Sequence, residues 1–394
     1  MKQFPKYRIF LLFILLAIIG STARADRSEF RAVWVHNWLP GLLSPAEVDS
    51  TIKWAKNCNM NVIIAQVRRV GDAYYCSSCE PRASNICPDP DFDPLAYTIA
   101  QSRANGLEIH AWFNVFRVAT PTTPLLPGHP ALNHPEWLSK DVNGKTVSPD
   151  GMFLDPGVPA VREYLVSLIS EILTKYEIDG INLDFIRYPG KQWGYNNIAI
   201  SAFNAEYARN GKPLPDDPAW CDWRRRQVTE TVRAIRTEMD RLKPLVKLSA
   251  DTVAWGKCPS DFKKTDAYAH VFQDWRLWME EGLIDANMPM NYKNPAVAKN
   301  QRDFGGWLDG FKRWSYGRHT YCGLMVFNNN ASGAAKQVAL ARSKGIDGIA
   351  GFAFSQVSSR DALALKLKSA AFTSPADVPV MAWKNQLVVG GNIR

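Results

Sequence analysis

The stretch Ile178-Asp179-Gly180-Ile181-Asn182-Leu183-Asp184-Phe185-Ile186-Arg187-Tyr188-Pro189 alternates apolar side chains with others and stops at a proline, the pattern of a buried strand. Period-two alternation sets Ile181, Leu183 and Phe185 on one face and Asn182, Asp184 and Ile186 on the other. A carboxylate near the end of such a strand is costly to bury without a purpose. Two purposes fit: an ion pair with Arg187 or another cation, or a catalytic carboxylate at the C-terminal mouth of a parallel barrel, where that fold places its active sites.

Seven further strand-like segments accompany it: 30–38, 61–67, 107–115, 246–253, 284–290, 321–327 and 349–355. Helical stretches separate them. One opens at Ser44-Pro45, with the serine as N-cap, and another starts at Asp93-Pro94 and stops at Asn105-Gly106. The run 158–176 carries a helical period through Val161, Leu165, Leu168, Ile169 and Leu173. Others fall at 197–242, 274–281, 296–314, 331–344 and 361–371, and Asp222 is the expected N-cap of a helix carrying Arg224, Arg225 and Arg226. Eight strands alternating with helices define an α/β fold, here a single (β/α)8 TIM barrel over residues 28–372 with long βα loops. An open doubly wound sheet is the competing arrangement, but no Gly-rich nucleotide turn follows the first strand. The connection from 116 to 156, rich in Pro, Gly and His, is too long to be a plain link, and such loops are functional. Residues 373–394 form a short C-terminal extension that either packs on the barrel or leads into something else.

Residues 1–25 have a different character. Lys2, Lys6 and Arg8 precede an apolar run from Ile9 to Ile19, and Ala23-Arg24-Ala25 supplies small residues for cleavage, as in an export signal peptide. The expected location is therefore secreted or periplasmic, with no stable membrane insertion after cleavage. Loss of this segment lowers the formal net charge from +9 to +5, a mild and scattered excess that argues against nucleic acid as a partner. Of the seven cysteines, Cys76, Cys79 and Cys87 crowd one loop and are expected to form a local disulfide, and Cys221 and Cys258 are a second candidate pair. Zinc at Cys76-x-x-Cys79 would need a second pair that the sequence does not supply. No phosphate loop, His-Glu-x-x-His or Gly-x-Ser-x-Gly element occurs, so no cofactor or metal is expected.

Several segments in order, RAVWV (31–35), NVIIAQVR (61–68), GDAYY (71–75), HAWFNVFRV (110–118), LDPG (154–157), DGINLDFIRYP (179–189) and CDWRRRQV (221–228), resemble the glycosyl hydrolase-like family ten of the bacterial envelope. The resemblance spans most of the barrel. It implies a (β/α)8 glycoside hydrolase, a glycan as partner, and cleavage of peptidoglycan glycan strands stripped of stem peptides. It carries the family's strand-four aspartate onto Asp184 and its β2-loop acid onto Glu80. The chain departs from the family after strand five, with Ser249-Ala250-Asp251-Thr252-Val253 in place of a Ser-Pro-Phe-Gly-like run. It departs again after strand six, with Pro289-Met290-Asn291-Tyr292 in place of Pro-Gln-x-Tyr.

Glycoside hydrolysis needs two carboxyl groups with opposed protonation, one acid and one nucleophile or base. Asp184 is the candidate for the ionised member, because Arg187 close by favours its charge. Asp251, Glu80 and Asp72 are the candidates for the acid. Asp251 ends the neighbouring strand, within the short separation of a retaining pair, whereas Glu80 lies on a loop and would reach over from further away, as in an inverting pair. Structural alternatives are a helix cap for Asp251 and a solvated loop acid for Glu80. Candidate sugar-binding residues are Trp38, Gln66, Arg68, Trp112, Asn114, Arg187, Tyr188, Trp255, Asn291 and Tyr292, with His36, Arg117 and Gln356 nearby in the pattern. Sugars suit flat aromatics flanked by hydrogen-bonding groups. A catalytically silent glycan-binding barrel, or a glycosidase acting on an environmental polysaccharide, would share most of these features.

Overall fold

The computed structural model describes residues 28–122, 124–326, 329–353 and 367–384. The expected export segment and Gln356 lie outside the described residues. The strands run β1 Phe30–Val35, β2 Val62–Arg68, β3 Glu108–Asn114, β4 Arg117–Ala119, β5 Val147–Ser148, β6 Gly151–Phe153, β7 Gly180–Asp184, β8 Lys247–Val253, β9 Ala286–Met290, β10 His319–Met325 and β11 Gly348–Phe352. The helices are α1 Pro45–Asn57, α2 Pro94–Ala104, α3 Pro130–Asn133, α4 Pro159–Lys175, α5 Asn197–Tyr207, α6 Pro218–Leu242, α7 Asp266–Ala269, α8 Trp275–Glu280, α9 Ala298–Arg313 and α10 Ala331–Ser343.

Eight parallel strands close a barrel in the order β1-β11-β10-β9-β8-β7-β3-β2. The starts of the helices follow from local chemistry. Ser44 accepts from the Glu47 amide and Asp93 from the Ala96 amide, each just before a proline whose fixed φ suits a first turn. The same logic corrects one expectation: Asp217, followed by Pro218, caps α6, and Asp222 lies inside the helix paired with Arg225.

Alternation along each strand divides two cores. Residues such as Ile181, Leu183, Leu248 and Ala250 face the helices, while Phe30, Ala32, Trp34, Val62, Ile64, Trp112, Met288, Tyr321 and Ala350 fill the barrel. β7 ends at Asp184 because Phe185 takes a left-handed conformation, φ +48°, unusual for a bulky residue. This turn breaks the alternation, so Ile186 packs in the outer core and does not share the face of Asp184 as expected.

The long connection after β3 contains a small antiparallel sheet, β4-β6-β5. Its tight hairpin requires Gly151 (φ +110°), since a Cβ there would lie 1.8 Å from the Ala119 carbonyl oxygen. At the opposite, N-terminal end, residues 374–384 cross the barrel floor. The Glu29 amide donates to the Asp377 carbonyl, and Arg31 Nη1 to that of Ser374. Met381 joins the interior cluster, Trp383 packs edge-on against His319, and Lys384 pairs with Asp285 at 2.9 Å.

The expected disulfides are absent: Cys76, Cys79, Cys87, Cys221 and Cys258 carry free thiols. Cys76 and Cys79 are exposed, whereas Cys87 is partly buried with its amide held by the Leu43 carbonyl. Cys221 faces the Pro215 carbonyl, and Cys258 packs against Gly310 of α9.

Candidate active site

Two carboxyl groups meet at the C-terminal mouth. The register pairs Asn182 with Ser249 and Leu183 with Ala250, so Asp184 and Asp251 are the next neighbours on adjacent strands, about 4.8 Å apart along the backbone. Asp184 Oδ1 accepts from the Phe185 amide at 2.6 Å, and Oδ2 from Trp112 Nε1 at 3.1 Å. Asp251 Oδ1 accepts from Asn182 Nδ2 at 2.9 Å, and Trp34 Nε1 in turn donates to Asn182 Oδ1 at 3.1 Å. Asp184 is 8% exposed and Asp251 3%.

Their surroundings push them apart. Burial raises Asp184 above the ordinary aspartate value, and the Phe185 amide, the Arg187 charge, the Trp112 hydrogen bond and Arg117 offset only part of the rise. Burial lifts Asp251 well above the ordinary aspartate value and the negative charge of Asp184 adds to this, against only the hydrogen bonds from Asn182 and Trp34. No cation is among the influences on Asp251. Both carboxyls are raised, Asp251 the more strongly, so Asp251 is the member of the pair better suited to keep a proton.

An aromatic basin surrounds the pair. Tyr292 stacks on Phe352, and burial together with both aspartates raises its hydroxyl well above its usual value. Phe352 also meets Trp34, Trp38 and Trp112, with centroids 6.2–6.4 Å away. His36 stacks on Trp38 at 3.5 Å, and burial lowers its imidazole to about 4, so it is neutral at pH 7. Trp38 and Trp255 are each 40% exposed at the mouth, and Trp255 lies against the Arg187 guanidinium.

Gln66 and Asn114 also belong to the interior face, where Asn114 pairs in register with Asp184. Asp72 is buried with the Val70 amide on one oxygen and Arg69 at 3.6 Å from the other. Four expected residues are placed elsewhere. Arg68 and Glu80 form an ion pair at 2.7 Å with neither side chain exposed. Tyr164 of α4 donates to Glu80 at 2.6 Å, so this acid faces the helical layer, away from the Asp184 pair. Asn291 donates to the Phe304 carbonyl of α9. Tyr188 is fully buried and bonded to Asp155 at 3.2 Å.

Trp34 and Phe352 were not singled out from the sequence, and Asn182 was placed on the face of Asp184 without a role. Trp34 lies two residues from His36 and Asn182 two from Asp184, so strict period-two bookkeeping on these strands would have found both. Among the described residues no cluster of three His, Cys, Asp or Glu side chains is arranged to hold a metal ion.

The buried pair gives a direct test of the role of Glu80. Glu80→Gln leaves the Arg68 charge without its partner, and a loss of about 3–5 kcal/mol in urea unfolding is expected, with activity per folded molecule retained. Loss of activity in a fully folded variant would restore Glu80 as a catalytic candidate.

A closed parallel barrel with two buried carboxyl groups at its C-terminal mouth is an arrangement that TIM-barrel glycoside hydrolases use. The sequence pattern of the family described as Glycosyl hydrolase-like 10 matches residues 29–307, and the chain belongs to this family. It is 28% identical over 411 residues to the glycosyl hydrolase YngK of Bacillus subtilis (strain 168), covering 94% of this chain and 77% of that protein. It is 26% identical over 257 residues to the glycosyl hydrolase DigH of Escherichia coli (strain K12), covering 59% of this chain and 54% of DigH. The chain thus spans about half the length of DigH. In fold it is similar to the glycoside hydrolase domain of PgaB from Bordetella bronchiseptica, with a TM-score of 0.65 and 14% identity over 86% of this chain and 98% of that one. The catalytic domain of β-amylase from Paenibacillus polymyxa also scores 0.65, at 13% identity over 89% and 99%.

Proposed function

We propose that the protein is a secreted or periplasmic glycosidase that cleaves glycan strands of the bacterial envelope, peptidoglycan strands without stem peptides being its substrate. The observation that carries the chemistry is the in-register pair Asp184 and Asp251, both raised by burial, with donors and cations offsetting part of the rise at Asp184 and the charge of Asp184 adding to it at Asp251. The substrate follows from the family resemblance, and the exposed Trp38 and Trp255 suit the C–H faces of successive sugars.

Asp251 gives its proton to the glycosidic oxygen as the bond to the anomeric carbon breaks. Asp184 attacks that carbon and forms a glycosyl ester. Water then replaces Asp184 at the anomeric carbon, and the Asp251 carboxylate recovers its proton from that water. The closeness of adjacent strands supports this retaining course, since an inverting pair needs a wider gap for water. Trp112 and the Phe185 amide fix the attacking oxygens, and Asn182 fixes Asp251.

The test is release of reducing ends from peptide-free peptidoglycan glycan by the mature protein. Release is the expected result. Binding of the same strands without release would make the barrel a glycan-binding module.

A further inference from the structure

β7 and β8 carry the two aspartates, yet the ladder between these strands ends just short of both. The last pairs in register are Asn182 with Ser249 and Leu183 with Ala250, and β7 then turns away at Phe185 in its left-handed conformation. β8 runs on to Val253. Its odd-numbered residues turn their amides and carbonyls toward β7, as the bond from the Lys247 amide to the Asp179 carbonyl shows. The Asp251 carbonyl and the Val253 amide are therefore left facing a strand that is no longer there. Both residues are buried, and an unmade backbone hydrogen bond there costs about 1–3 kcal/mol.

Gln273 fills this gap. Its Oε1 accepts from the Val253 amide at 2.8 Å, and its Nε2 donates to the Asp251 carbonyl at 3.0 Å. Nε2 also donates to the Ile186 carbonyl at 3.5 Å, in the turn that follows Asp184. One carboxamide thus offers β8 a donor and an acceptor, as a continuing strand would, and holds the departing turn of β7 beside it. Gln273 is itself held firmly. It is fully buried, and its backbone amide donates to the Ala267 carbonyl of α7 at 2.7 Å. Phe272 before it is left-handed, φ +59°, with the Arg224 guanidinium 4.0 Å from its ring. The Val271 carbonyl accepts from the Tyr188 amide at 3.1 Å, so residues 271–273 lie along the turn.

We propose that Gln273 is a positioning residue, a side-chain bridge between β7 and β8 that sets the separation and facing of Asp184 and Asp251. Its bonds are all to backbone, so it acts through the two aspartates and not on the sugar. The inference rests on the glycosidase reading for its effect on rate, but not for its effect on the pair. Without the bridge, the end of β8 and the turn after Asp184 part, and a misplacement of about 1 Å costs about a hundredfold in rate. The charge of Asp184 acts on Asp251 across the same gap, and a wider gap lets Asp251 release its proton at lower pH. The other ionisable groups facing the pair are Arg117 of β4, Arg187 of the turn and the Tyr292 phenol after β9. Arg187 moves off with the turn, which raises Asp184 further.

The experiment compares Gln273→Leu, which keeps the bulk and removes every bond, with Gln273→Asn, whose carboxamide is one carbon too short to span both strands. Reducing-end release from peptide-free peptidoglycan strands is followed across pH. For Gln273→Leu, kcat is expected to fall about 10²-fold per folded molecule with KM little changed, and the pH profile to narrow from both sides. Gln273→Asn is expected to lose less, and it carries the test if the leucine variant does not fold. Circular dichroism follows the fold of each. The pair is also titrated directly, by carbon NMR of aspartate labelled at Cγ, with Asp184→Asn and Asp251→Asn assigning the signals. The two titration steps are expected to lie closer together in the Gln273 variants. Folded variants with wild-type kcat, pH profile and titration overturn the bridge, as does a loss of stability alone. No release by the wild type, with titration steps that still close up in the variants, leaves the bridge standing and removes the hydrolase. Release by the wild type, with kcat and titration unchanged in the variants, does the reverse.

Discussion

Asp184→Asn lowers kcat by about 10⁴-fold or more, the range found when a nucleophile acting as part of a unit is removed. The variant is nearly isosteric, so the barrel keeps its shape. Both Asp184 oxygens act as acceptors, one for the Phe185 amide and one for Trp112. An amide presents only one acceptor, and loss of the other contact costs about 1 kcal/mol of stability, far too little to unfold a barrel. The change also removes the negative charge that helps to keep Asp251 protonated. Any residual activity should therefore lose its acid at lower pH than the wild type does. Reducing-end assays across pH, with folding followed by circular dichroism, check both points. Wild-type rates in the variant would remove Asp184 from the chemistry.

Asp251→Asn has the second largest effect, about 10²–10⁴-fold in kcat, as expected for a positioned acid. Its distinguishing mark is the pH profile. In the wild type the acidic limb reports ionisation of Asp184, and the alkaline limb reports loss of the Asp251 proton, shifted upward by burial and by its neighbour. The variant should lack the alkaline limb. Stability follows the same proton. The unfolded chain releases it near pH 3.9, at about the free aspartate value, while the folded protein retains it to higher pH. Stability is thus greatest below the unfolded value and falls as pH rises toward the folded one, by about 1.4 kcal/mol per pH unit for one group. Asp251→Asn should not show this decline, so its unfolding free energy gains on the wild type between pH 4 and neutrality. Parallel curves for the two proteins would mean that Asp251 is ionised in the fold.

The barrel was legible because alternation and helical period repeat along the whole chain, and because Asp184 interrupts an apolar strand. β7 and β8 are neighbours both along the chain and in the barrel, so Asp184 at the end of one meets Asp251 near the end of the other. Glu80 illustrates what sequence cannot give. Its loop looks solvated, yet Arg68 points out of the barrel and draws it into the helical layer beneath Tyr164. A single residue in a left-handed conformation, Phe185, also suffices to turn Ile186 away from its expected face. The cysteines show the limit of spacing arguments, since Cys221 and Cys258 follow different elements and face different partners.

The segment crossing the barrel floor links local opening at one end of the folded body to the other. The Glu29 amide is held by the carbonyl of Asp377, and Asn61 Nδ2 by that of Ala376, so residues more than 300 apart in the chain share the same protection. β1 cannot fray while the crossing segment stays in place, and the segment cannot lift without exposing the Glu29 amide to solvent. Hydrogen exchange at that one amide therefore reports the opening of the whole floor, and the mouth can rearrange around a glycan while its base stays shut.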